Sequence, residues 1–155
     1  VYLDLSFWQT MSEQLGASDA DFAKAYVIAH EFGHHVQTLS GASQKVEQAQ
    51  QSMGQQAGNR YSVALELQAD CYAGVWAANA AKVSGGNVAM ESGDLEAGLT
   101  TAKAIGDDTL QRKSQGTVVP ESFTHGTSAQ RQAWFQRGFE GGRLNGCNTF
   151  EARTL

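Results

Sequence analysis

The chain has 155 residues, of which 41% are hydrophobic, and a formal net charge of −5 at pH 7. That is enough material for one globular domain with a core and too little for two comfortable ones. The acidic balance argues against a protein that tracks nucleic-acid phosphates, and no apolar run approaches the length of a membrane span.

VYLDLSF opens with alternating apolar and polar residues, which predicts a short strand from Val1 to Leu5. A short helix is expected from Phe7 to Leu15, ended by Gly16. Ser18 and Asp21 resemble a capping box, with Asp in place of the usual Glu. They would open a periodic helix that runs to Ser40 and stops at Gly41. A polar helix from Ser43 to Gln56 follows. Asn59 to Lys82 is the next long helix, rich in Ala and poor in charge, and so a buried one. SGGN at Ser84 to Asn87 is a loop, and Asp94 to Gln115 is helical with a break at Gly106. GTVVPESFTHG is a connector. Thr127 and Gln130 form a second capping-box candidate, opening a helix to Glu140, and the glycine-rich tail is irregular. No repeat and no linker is visible, so residues 1–155 read as a single, mostly α domain of α+β class.

The stretch VIAHEFGHHVQ, Val27 to Gln37, carries the chemistry. At about 100° per residue, His30 and His34 share one helix face and Glu31 lies beside them. This is the H-E-x-x-H spacing, with two imidazoles for zinc and a glutamate able to reach a metal-held water as general base. Ile28, Phe32, Val36 and Leu39 fall on the opposite side, where they are expected to anchor the helix in the core. His35 points away from His30 and reads as polar surface or a core hydrogen-bonder before a ligand. Gly33, costly inside a helix, suggests a close backbone approach beside the metal, against a tolerated accident.

A tetrahedral catalytic zinc needs a third protein ligand. VALELQADCYAGVW, Val63 to Trp76, supplies candidates, because Glu66 and Asp70 are its only charges and sit one turn apart on an apolar helix. Carboxylates in such surroundings are paired or metal-bound. Glu66 is long enough to ligate, and Asp70 could then accept the N–H of a ligating histidine. The reverse assignment, with Asp70 as ligand, stays open. The two cysteines, Cys71 and Cys147, form no C-x-x-C, so a cysteine zinc knuckle is excluded. They fit either a disulfide or free thiols.

HEFGH, ELQADC, AIGDD and VPESFTHGTSAQRQAWFQRGF together closely resemble the bacterial neutral zinc metallopeptidase family, over essentially the whole chain. The resemblance implies a zincin-like core of active-site helix and second ligand-bearing helix. It implies a gluzincin arrangement with one zinc per chain, His30, His34 and Glu66 as ligands and Asp70 behind them. It also implies a peptide or protein substrate, and an N-terminal membrane anchor with further catalytic-domain residues ahead of VYLDLSF. This chain, which starts at Val1 without Met, would then be a soluble, truncated piece of an envelope protein facing the periplasm or the exterior. An oxidising location favours a Cys71–Cys147 disulfide, the alternative being a partner cysteine outside this stretch.

In such chemistry a bound zinc polarises the scissile carbonyl and acidifies its water, Glu31 moves the proton, and the oxyanion needs a further electrophile. His125, the only histidine outside the zinc helix, is the candidate, against a capping or structural role. Tyr61 and Tyr72 are weaker alternatives. Arg131 reads as a substrate-holding or a surface residue, and Asp107 and Asp108 as helix caps before cation ligands. The Val1–Leu5 strand could pair with extended substrate. Two rival readings accompany the zinc endopeptidase: a non-catalytic zinc-stabilised binding module, which would have no need of Glu31, and a zinc hydrolase of cell-wall amides.

Overall fold

The computed structural model describes residues 2–152 and 155. Seven α-helices occur among them: α1 (Phe7–Glu13), α2 (Asp21–Ser40), α3 (Ala42–Ser52), α4 (Gln55–Val83), α5 (Asp94–Ala104), α6 (Asp107–Gln115) and α7 (Ser128–Gly141). Short 3-10 turns at Pro120–Ser122 and Leu144–Gly146 complete the regular structure. No described helix is long and apolar enough to cross a membrane. The mostly helical expectation holds. The strand does not form over residues 2–5, which are irregular and then enter a turn, while Val1 lies outside the described residues. With no other strand among the described residues, that segment has no ladder to join.

α4 is the spine. At 29 residues it is about 43 Å long, and α2, α3 and α7 all pack against it, with α5 closing the side between α2 and α7. One core cluster gathers Phe22, Ala23, Tyr26 and Val27 of α2 with Ala73 and Ala77 of α4, Ala102 of α5 and Phe135 of α7. A second joins Val63, Leu67 and Cys71 of α4 to Phe123, Trp134 and Cys147. The Cys71–Cys147 disulfide, with sulfurs 2.03 Å apart, ties the tail to α4.

The helices meet at backbone distance. A Cβ on Gly138 of α7 would lie 2.0 Å from the Cys71 carbonyl oxygen, and one on Gly74 of α4 would lie 2.0 Å from that of Phe135. On the other flank of α4, a Cβ on Gly33 of α2 would be 3.1 Å from the Ala69 Cα. Gly33 therefore answers to a close approach, made to α4.

This packing reverses the expected orientation of α2. Its buried face holds Phe22, Ala23, Tyr26, Val27, Ala29, His30, Gly33 and Gln37. Phe32 is 54% and Leu39 75% exposed, and Val36 is exposed as well. The neighbours dock on the small-residue side, where close approach is possible, and the bulky stripe is left outside. The capping box at Ser18 and Asp21 is also not formed. Ala20 is the N-cap, so Ser18 sits too early to reach the N3 amide and accepts from the Ala20 N–H instead. The box at Thr127 and Gln130 is complete.

Candidate metal centre

α2 and α4 bring three candidate ligands together. His30 and His34 project one turn apart from α2, and their Nε2 atoms lie 3.1 Å from each other. Glu66 of α4 places one carboxylate oxygen 3.3 Å from His30 Nε2 and the other 3.3 Å from His34 Nε2. Zinc–ligand bonds of about 2.0–2.1 Å in a tetrahedron give ligand–ligand edges of about 3.3 Å. Each ring is at that distance from one Glu66 oxygen, and one donor atom from each of the three residues lies within 4.8 Å of the others, so the cluster is compatible with a zinc ion.

The hydrogen bonds behind the triangle set its polarity. His30 Nδ1 lies 2.8 Å from Asp70 Oδ1 and so donates its proton there. His34 Nδ1 lies 2.8 Å from Gln37 Oε1. That oxygen is an acceptor because the Gln37 amide nitrogen is engaged by the Leu65 carbonyl and by Gln68 Oε1. The Gln68 nitrogen in turn donates to the Cys147 carbonyl. In the neutral rings both Nε2 atoms therefore carry lone pairs, and they face a carboxylate. Three acceptors with no donor among them call for a cation, either a proton or a metal ion. The donor set, two imidazoles and one carboxylate, is one that zinc takes in catalytic sites.

The titration behaviour agrees. Burial alone would lower His30, but the charge and hydrogen bond of Asp70 outweigh it and raise the metal-free ring to about 9. Burial alone would raise Glu66, yet its bonds to His30 and His34 hold it well below the usual carboxylate range.

Asp70 is fully buried and completely engaged. Its Oδ1 accepts from Tyr26 Oη at 2.5 Å, from His30 Nδ1 and from Arg131 Nη2 at 3.0 Å, and its Oδ2 accepts from Arg131 Nε at 2.9 Å. Arg131 is 3% exposed, and its Nη1 donates to the Ile105 carbonyl. Neither the surface nor the substrate-holding reading of Arg131 fits, since its donors are spent inside the protein.

Glu31, next to His30 in the sequence of α2, is half-buried, with no hydrogen bond or ion pair among the described residues, and His35 is exposed. His125 sits in the loop before α7. Asp107 Oδ2 accepts the backbone N–H groups of Thr124, His125 and Gly126, and Asp107 Oδ1 lies 3.1 Å from His125 Nδ1. That bond raises His125 above the ordinary histidine value, with a further push from the Glu66 charge. His125 is therefore within electrostatic reach of the triangle. Asp107 is the clamp of this loop, while Asp108 Oδ1 caps the start of α7 through the Ser128 N–H. Tyr72 is half-buried against the second core cluster, on a different face of α4 from Glu66, and Tyr61 is exposed.

Tyr26, Gln37 and Gln68, and the clamping roles of Asp107 and Arg131, are absent from the sequence reading. Gln37 and Gln68 lie within the two chemistry-bearing stretches, VIAHEFGHHVQ and VALELQADCYAGVW, and could have been suspected.

The model of the family described as "Putative neutral zinc metallopeptidase" matches residues 1–150. An Escherichia coli relative, the uncharacterized protein YpfJ, is 57% identical over 150 residues, which is 97% of this chain and 50% of that protein. The uncharacterized protein Rv2575 of Mycobacterium tuberculosis is 42% identical over 160 residues, covering 99% of this chain and 53% of that protein. The chain thus spans about half the length of the curated relatives it matches. No solved structure gives a significant match.

Proposed function

Since the chain belongs to the neutral zinc metallopeptidase family, we propose that it is the zinc-binding core of an endopeptidase, with His30, His34 and Glu66 as ligands of one zinc ion. The observation that carries this reading is the group of three acceptors at zinc-compatible spacing, with Glu31 following His30 directly in α2. A zinc ion held there supplies Lewis acidity toward a peptide carbonyl and a water of lowered pKa. Glu31 takes the proton of the attacking water and delivers it to the leaving amine. Asp70 holds His30 by Nδ1 and Gln37 holds His34, so both rings offer Nε2. His125 gives its Nδ1 proton to Asp107, so its Nε2 carries a donor proton only as imidazolium. In that form it is a positively charged donor for the oxyanion.

The substrate is a peptide or protein. The disulfide supports work in an oxidising place such as the outward side of a bacterial envelope.

The test compares the wild-type chain with Glu31→Gln, reading zinc content by elemental analysis and cleavage of a quenched-fluorescent peptide library. The expected outcome is one zinc in both, with turnover in the variant lower by about 10²–10⁴-fold. Equal turnover in the variant would remove Glu31 as the base. Zinc in both with no cleavage by either would favour a non-catalytic zinc module.

A further inference from the structure

Arg131 has no place in the reaction above, yet it is among the most completely engaged side chains in the protein. It comes from α7, 61 residues after Asp70. Its Nε and Nη2 hold the two oxygens of that carboxylate at 2.9 and 3.0 Å, and the Nη2 atom also lies 3.4 Å from His30 Nδ1.

We infer that Arg131 is a positioning residue of the metal centre: its fork fixes the plane of the Asp70 carboxylate, and through it the ring of His30, with Nε2 turned toward His34 and Glu66. The inference rests on the metal-centre reading.

A carboxylate with a single tether turns about its Cβ–Cγ bond. Two parallel N–H bonds from a planar guanidinium remove that freedom. Tyr26 approaches the same Oδ1, so the oxygen that receives the His30 proton is held from two further directions. The guanidinium is itself fixed. Nη1 is held by the Ile105 carbonyl, and the start of α7 is held by the Thr127–Gln130 capping box and by Asp108 on Ser128. A lysine could keep the charge but would reach the carboxylate as a point, without the fork.

The rival is a plain ion pair that joins α7 to α4 and leaves the metal untouched. Arg131→Lys and Arg131→Met separate the two, each alone and in an Asp70→Asn background. The readouts are the zinc dissociation constant by chelator competition, the visible spectrum of the cobalt-loaded protein, and the far-UV circular dichroism of the metal-free protein. The expected result is a folded Arg131→Lys variant that binds zinc about 10-fold more weakly with an altered cobalt spectrum. Arg131→Met should be weaker still, within the 10–100-fold range of lost outer partners. Little further loss is expected on adding Arg131→Lys to Asp70→Asn, because the effect runs through that carboxylate.

Wild-type zinc affinity and cobalt spectrum in Arg131→Lys would overturn the inference. So would an undiminished loss in the Asp70→Asn background, or loss of the metal-free fold in both Arg131 variants, which would mark a structural tie. A wild-type protein that binds no zinc would sink the metal-centre reading and this step together.

Discussion

Asp107 reaches His125 across 18 residues and meets both its backbone N–H and its Nδ1. The bond raises the imidazole above its ordinary value of 6.5. The sign follows: the charged pair stabilises the loop fully below that ordinary value and ceases to do so as pH rises through the raised one. If the imidazolium is the donor, turnover falls over the same interval. Asp107→Asn should therefore move the alkaline limb of the kcat profile to lower pH and reduce kcat. His125→Ala should lower kcat by about 10²-fold or more. An alkaline limb unmoved by Asp107→Asn would remove His125 from that role. At this scale the sequence was most legible where partners are near neighbours, as in His30 with His34 or Glu66 with Asp70. Asp107 with His125 and Arg131 with Asp70 are pairs made by the fold, and no local spacing announces them.

Between elements, the decisive contacts are made by residues with no side chain. Gly138 rests against the Cys71 carbonyl, so Gly138→Ala must push α7 away from α4. A loss of about 3 kcal/mol or more is expected, since the obstruction is backbone and cannot rotate aside. Gly41→Ala is the contrast. Its φ of +78° disfavours a side chain, but nothing lies within 4 Å, so about 1–2 kcal/mol should be lost. Urea unfolding of both variants checks the order, and a Gly138→Ala as stable as Gly41→Ala would refute the close crossing. The same contacts explain why the helices were readable and the face of α2 was not. Periodicity locates an amphipathic helix and its Gly41 stop. It favours burial of Phe32 and Leu39, whereas the neighbours selected the Ala23, Ala29 and Gly33 side because only that side admits a helix at close range.

For the molecule as a whole, the disulfide closes a loop over a sequence separation of 76. Reduction should cost about 2–5 kcal/mol, seen as a lower urea midpoint with reductant. Unchanged midpoints would show the bridge to be absent in solution. Beyond stability, Cys147 offers its carbonyl to Gln68, Gln68 its oxygen to Gln37, and Gln37 its oxygen to His34. The two glutamines lie within the chemistry-bearing stretches, but the links of this amide chain are made by the fold and no local spacing announces them.

The grip of α2 at Ala69 and of α7 at Cys71 brackets Asp70 on both sides. A helix pinned on either side of the residue that orients the first ligand has little slack. The ligand cage should thus stand ready-made, and capture of the ion becomes an exchange of cations rather than a folding event. Because His30 holds its proton up to about 9 without metal, zinc uptake at pH 7.5 should expel about one proton per chain. Titration calorimetry in two buffers of different ionisation enthalpy would count it. The far-UV spectrum should stay as it was, and a large gain of helix on loading would mean that the ion builds its own cage.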